Sequence, residues 1–185
     1  MIKVDFVIIG GGMVGLSLAN QLLEHKRNSS VIVVEKEKEI GLHSSGRNSG
    51  VLHAGIYYKP NSLKAKVCIN GAKRLKNWCK ENKIEVLECG KVIAVQEPKL
   101  DERLDFLYER GKKNGADISL IDEDQFNKLV PYGRTTTGRA IWSPNTSVVS
   151  PKHILRKLLL NLSEQKVKII YESQIVNVKN KSNTI

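Results

Sequence analysis

Three glycines in the string Gly10-Gly11-Gly12-Met13-Val14-Gly15, together with an acid at Glu35, have the types and spacing to hold a dinucleotide. Gly10 lets the chain leave a strand in a tight turn, Gly12 lets a pyrophosphate approach the backbone, and Gly15 lets the next helix lie close on the sheet. That helix starts with Met13 and Val14, where unpaired N–H groups and a partial positive charge favour phosphate. Glu35 lies twenty positions after Gly15 and can accept hydrogen bonds from both ribose hydroxyls. A carboxylate there also repels a 2′-phosphate, which disfavours NADP. Lys36, beside it, completes this group of cofactor-binding candidates. An ordinary tight turn between a strand and a helix is the alternative, and it leaves the spacing of the glycines unexplained.

These residues need elements to position them, and the flanking pattern supplies each in order. The apolar run Val4 to Ile9 reads as a strand, Leu16 to Leu23 as a helix, and Val31 to Val34 as a second strand ending on the acid. A polar, glycine-bearing stretch follows from Gly41 to Lys59. Leu63, Val67, Ala72, Leu75 and Trp78 recur at helix spacing between Ser62, an N-cap candidate, and about Asn82. Val86 to Val95 reads as β structure interrupted at Gly90, and Leu100 to Lys113 as an amphipathic helix. A short strand is expected at Ile118 to Ile121, and a short helix opening on the acids Asp122, Glu123 and Asp124 and ending near Pro131. Arg139 to Trp142 is a strand candidate, and Pro151 opens a helix to about Leu162. Val167 to Tyr171 and Gln174 to Val178 read as closing strands. The order is α/β, then a more β-rich insert, then α/β again.

Composition narrows the classes. The 185 residues carry a net charge of +11, mostly from scattered lysines without aromatic interleaving, so a basic surface is expected and nucleic-acid binding is not. No apolar run approaches a membrane span, and the N-terminal apolar stretch is a strand rather than a signal peptide. Cys68, Cys79 and Cys89 are odd in number and widely spaced, which suits reduced thiols in the cytoplasm and gives no metal pattern.

A longer segment is far more specific. Leu42-His43-Ser44-Ser45-Gly46-Arg47-Asn48-Ser49-Gly50-Val51-Leu52-His53-Ala54-Gly55-Ile56-Tyr57-Tyr58-Lys59-Pro60, then Ser62 to Cys68, Cys89-Gly90-Lys91 and Ser143-Pro144, closely resembles the L-2-hydroxyglutarate dehydrogenase/oxidase family. Those are FAD proteins of the D-amino-acid-oxidase-like superfamily. The resemblance implies a Rossmann-like FAD-binding domain interrupted by a mixed α+β substrate domain. The expected boundaries are residues 1–85 and 148–185 for the former and 86–147 for the latter.

It further implies that the loop holding Ser44, Ser45, Arg47, Asn48, Ser49 and Gly50 lies under the flavin and its pyrophosphate. Arg47 would offset phosphate charge or hold a substrate carboxylate, with a surface ion pair as the other reading. His53 would take the hydroxyl proton of a 2-hydroxy acid as hydride passes from C2 to flavin N5, with a packed structural histidine as the other reading. Tyr57 or Tyr58 would hydrogen-bond a carboxylate, the other lying in the core. His43 sits near the place where some superfamily members attach flavin covalently. Ile175 would lend its backbone to the adenine from the returning strand.

The implied reaction is oxidation of L-2-hydroxyglutarate to 2-oxoglutarate, with electrons passing to a quinone or to oxygen. A basic cytoplasmic protein suits that dianion and also peripheral contact with the anionic inner face of a membrane. The competing readings are a related flavoprotein acting on glycerol 3-phosphate or an amino acid, and a non-catalytic nucleotide-binding remnant. The family's members are considerably longer, so the resemblance also implies that this chain is a C-terminally truncated fragment. Val130, Ser147 and Ser150 replace residues usual in the family near the substrate domain.

Overall fold

The structure, a computed structural model, describes residues 3–179. In chain order its elements are β1 (Phe6–Ile9), α1 (Met13–His25), β2 (Val31–Val34), β3 (Val51–Leu52), α2 (Leu63–Glu81), β4 (Val86–Leu87) and β5 (Lys91–Ala94). They continue with α3 (Asp101–Lys113), β6 (Ser119–Asp122), α4 (Glu123–Leu129), β7 (Arg139–Ser143), β8 (Ser147–Val149), α5 (Pro151–Glu164) and β9 (Lys168–Ile170). A 3₁₀ turn at Pro98–Leu100 leads into α3. The chain divides into two compact units, Met1–Asn48 with Pro151–Ile185, and Ser49–Ser150.

The first unit is α/β. Its sheet runs β1-β2-β9 with every pair parallel, Phe6 opposite Val31 and Ile32 opposite Lys168. Parallel strands need crossover connections, and α1 and α5 are the helices that precede β2 and β9. Those helices pack on each other, and they bury Leu16, Ala19 and Leu23 of α1 and Ile154, Leu155, Leu158 and Leu162 of α5. Asn20 is buried among them with its amide satisfied, donating to the carbonyls of Leu16 and Leu158 at 2.9 and 3.3 Å.

The second unit is mixed α+β with two antiparallel sheets, β3-β8-β4 and β5-β7-β6. Ile56, Leu104, Ala116, Ile118 and Ile141 form one core cluster and Ile121, Phe126 and Ala140 another. Local signals place the helices here. Ser62 caps α2 by accepting the Ala65 N–H, and Asp122 and Gln125 form a reciprocal capping box at α4. Arg139 of β7 donates to both Asp101 and Asp105, fastening α3 to the sheet.

The chain passes from the first unit to the second at Asn48/Ser49, because β3 and β4 both pair with β8 and so carry α2 with the second unit. One expectation about elements changes. Gln174–Val178 is not a strand: Glu172 turns the chain at φ +50°, and the described residues offer the following segment no neighbouring strand to pair with. A short apolar run becomes a strand only where a partner satisfies its backbone.

Candidate functional site

In the first unit the chain leaves β1 at Gly10 with φ +105°, a conformation side chains rarely adopt, while the Gly10 N–H bonds the Val34 carbonyl at 2.8 Å. Gly12 is the N-cap of α1 and has no side chain to serve its donors. The Ser45 hydroxyl does so from another part of the chain, accepting the Met13 N–H at 2.9 Å. A methyl at Gly12 would stand 2.9 Å from that hydroxyl, so the missing side chain keeps the helix start open. Asn48 holds the loop in shape by donating to the carbonyls of Ser44 and Ser45 at 3.1 and 2.9 Å. No acid lies in the first turn of α1, and Val14 beside it is exposed. Gly15 lies where a Cβ would collide with the Gly10 carbonyl oxygen, which gives the close helix approach expected of it.

Glu35 is more deeply engaged than a ribose ligand alone would be. It is only 7% exposed. One carboxylate oxygen accepts the Gly11 N–H at 2.6 Å and the other the Glu37 N–H at 2.9 Å. The acid thus ties the glycine turn to the end of β2, and each oxygen keeps a further lone pair for a hydroxyl. Glu35 also lines a cleft of about 370 Å³ with Gly10, Lys36, His43, Gln174 and Ile175. Glu35→Gln is expected to cost about 1–3 kcal/mol, because the amide must turn a donor toward one of two backbone donors. At about 1.4 kcal/mol per tenfold, dinucleotide affinity falls by roughly 5- to 140-fold in a cofactor titration of the stripped protein.

These features fit a dinucleotide: an open helix N-terminus, a hydroxyl placed over it, a buried acid and a cleft beside the acid. Ile175 lines that cleft from irregular backbone rather than from a strand. Lys36 and His43 are exposed and both face Glu37, at 3.7 and 2.9 Å. The bond from His43 holds the Glu37 carboxyl below its ordinary range. Arg47 stands apart from this cleft. It lines a separate cavity of about 450 Å³ with Glu39, Lys152, Arg156 and Tyr171.

Ser49, Gly50, His53 and Tyr57 belong to the second unit. Gly50 is buried, and its carbonyl accepts the Val149 N–H at 3.0 Å. His53 follows β3 and is half-buried, its ring edge-on to Tyr57 with centroids 6.0 Å apart and planes at 87°. Lys91 of β5 donates to the Tyr57 hydroxyl at 2.6 Å and stands 4.6 Å above the ring centre. The turn is pinned from behind. Cys68 donates to the His53 carbonyl, Arg110 to that of Tyr57, and Asn114 to those of Gly55 and Tyr58. Burial, and then the Lys91 charge, push the His53 imidazole below its ordinary value of 6.5. A neutral imidazole with a free ring nitrogen can accept a proton. Of the two tyrosines, Tyr57 has the polar surroundings and Tyr58 is partly buried.

The Lys91–Tyr57 pair and the Ser45–Met13 contact are features of the candidate site that sequence reasoning missed. The Cys89-Gly90-Lys91 string carries part of the family resemblance, but nothing in it ties Lys91 to a tyrosine on a distant turn. Among the described residues no group of three His, Cys, Asp or Glu is placed to hold a metal, and all three cysteines are free. No helix among them is long and apolar enough to cross a membrane.

Comparison with known proteins adds three findings. The family model described as FAD dependent oxidoreductase matches residues 5–185. The mitochondrial L-2-hydroxyglutarate dehydrogenase of Caenorhabditis elegans is 43% identical over 156 residues, 84% of this chain and 36% of that protein. The human protein of the same name is 43% identical over 151 residues, 81% of this chain and 32% of that protein. The chain thus spans about a third of the length of the curated relatives it matches. Among solved structures, the dithionite-reduced L-alpha-glycerophosphate oxidase of Mycoplasma pneumoniae with FAD bound superposes with a TM-score of 0.88 at 27% identity, covering 98% of this chain and 48% of that one. Glycine oxidase of Bacillus cereus shares the fold, with a TM-score of 0.81 at 23% identity, covering 97% and 49%.

Proposed function

The chain belongs to the FAD dependent oxidoreductase family, and on that premise we propose that the whole protein oxidises L-2-hydroxyglutarate to 2-oxoglutarate. The observation that carries the choice of substrate is the 43% identity over 84% of this chain to a relative named for that substrate. Bound FAD supplies the acceptor for the hydrogen and electron pair that leave C2.

The residues of the first unit hold that cofactor. The start of α1 and the Ser45 hydroxyl take the pyrophosphate, and Glu35 takes the ribose hydroxyls. Ile175 borders the place for the adenine. Ser44, Asn48, Ser49 and Gly50 would belong to the loop under the flavin and its pyrophosphate, and Arg47 with Lys152 and Arg156 adds positive charge on the first unit. In the second unit the unprotonated ring nitrogen of His53 takes the hydroxyl proton as the C2–H bond breaks. Tyr57 would hydrogen-bond a substrate carboxylate. A quinone or oxygen would be the final electron acceptor. The net charge of +11 favours a doubly negative substrate and peripheral contact with an anionic membrane face.

Anaerobic addition of substrate to the purified flavoprotein tests this. L-2-hydroxyglutarate is expected to bleach the flavin absorbance, while its D-isomer, glycine and glycerol 3-phosphate leave it unchanged. Glycerol 3-phosphate is the sharp competitor, since the structure with a TM-score of 0.88 is a glycerophosphate oxidase. Bleaching by that compound alone would transfer the assignment.

A further inference from the structure

We propose that Lys91 and the Tyr57 hydroxyl form a carboxylate-binding subsite, which takes the carboxylate remote from the carbon being oxidised in a dicarboxylic 2-hydroxy acid. The proposal deepens the functional reading above and rests on it for the position of the reacting carbon near His53.

The first support is an uncompensated charge. Lys91 is half-buried on β5, and among the described residues no Asp or Glu carboxylate lies within ion-pair distance of its ammonium. Its polar partner is a neutral phenol, at 2.6 Å. A half-buried cation held in one place without a counter-ion is a ready anion site, because the cost of ordering and partly desolvating it is already met by the fold.

The second support is the direction of the donors. Lys91 has three N–H donors and gives one to Tyr57. The phenol oxygen therefore acts as acceptor toward Lys91, and its own proton is left to donate outward. Two ammonium N–H groups and one phenol O–H then converge on one anion, a donor set that suits the two oxygens of a carboxylate. The Lys91 ammonium also stands 4.6 Å over the Tyr57 ring, a second attraction between the two groups.

The third support is spacing. The His53 and Tyr57 rings are 6.0 Å apart between centroids, and Lys91 bonds the hydroxyl end of Tyr57. The subsite thus lies in the neighbourhood of the proton acceptor and is made of different groups. A hydroxyl held at His53 keeps the carboxylate of its own carbon beside it. The carboxylate at the other end of a short dicarboxylic chain is the one free to reach Lys91 and Tyr57.

Titrations of the full-length flavoprotein with two unreactive probes, read by calorimetry and by the flavin spectrum, test the subsite. The probes are 2-oxoglutarate, with a remote carboxylate, and 2-oxobutyrate, without one. Lys91→Met is expected to weaken 2-oxoglutarate by about tenfold or more, as for loss of a hydrogen bond to a charged group. Binding of 2-oxobutyrate should stay within about twofold, since no subsite group is in use and a tenfold change would need about 1.4 kcal/mol. Lys91→Arg should recover most of the affinity. Tyr57→Phe keeps the ring, loses one donor, and provides a second reading if Lys91→Met does not fold. Equal weakening of both probes, or of neither, overturns the subsite. If 2-oxoglutarate binding depends on Lys91 and yet L-2-hydroxyglutarate does not bleach the wild-type flavin, the reaction assignment fails and the subsite stands.

Discussion

Gly15→Ala is expected to abolish tight cofactor binding. The added Cβ would land on the carbonyl oxygen of Gly10 and press on Ile8 of β1. Backbone cannot swing aside as a side chain can, so α1 must lift from the sheet or the turn must open. Either movement costs about 3 kcal/mol, the upper part of the range for overpacking a filled interior. It also spoils the place where Met13 N–H and Ser45 meet, which is where the phosphates are to bind. With 1.4 kcal/mol per tenfold, flavin affinity falls by roughly a hundredfold. Flavin retained after gel filtration measures the binding loss. Thermal unfolding measures the stability loss, at about 2–4 °C per kcal/mol for a chain of this size. Gly71→Ala is the control. A Cβ at that position in α2 meets nothing within 4 Å, so the same change there should stabilise by about 0.5–1 kcal/mol through helix propensity. If the two variants bind flavin equally, the close-approach role of Gly15 is wrong.

His53→Ala is expected to lower kcat/KM by about 10²- to 10⁴-fold, the usual worth of a positioned general base, with flavin content unchanged. The pH profile supplies a second, independent reading. His53 serves only when neutral, and burial together with Lys91 lowers its folded value below 6.5. The acid limb of the rate should therefore fall below the ordinary histidine range, and it should move upward in Lys91→Met. The same shift acts on stability. Between the lowered folded value and the ordinary unfolded value, the unfolded chain binds more protons, so stability rises with pH across that window. It is lost as pH falls through the folded value. A packed structural histidine would give the stability effect without the rate effect, and an unchanged acid limb in His53→Gln would show that the base lies elsewhere.

The βαβ start was legible in the chain because its signals are local. Short apolar runs, three glycines at fixed offsets and an acid closing the second strand are all signals carried by contiguous stretches of chain. Ser62 and the acids that open α4 were readable for the same reason, since a helix start is marked by residues within its first turn. The two- and three-residue strands β3 and β8 carry no such signal and exist because each satisfies the other's backbone. Gln174–Val178 has a strand's composition and lacks the partner.

The kind of cofactor site and the family were legible in the chain, since both reside in contiguous strings whose meaning does not depend on distant residues. How the site's groups come together depends on the folded chain. Ser45 reaches Met13 across 32 residues, Glu35 reaches Gly11 across 24, and Lys91 reaches Tyr57 across 34. No periodicity encodes such pairs. They form because packing of the sheets and helices fixes which side chains face one another, and that packing is a property of the folded chain as a whole.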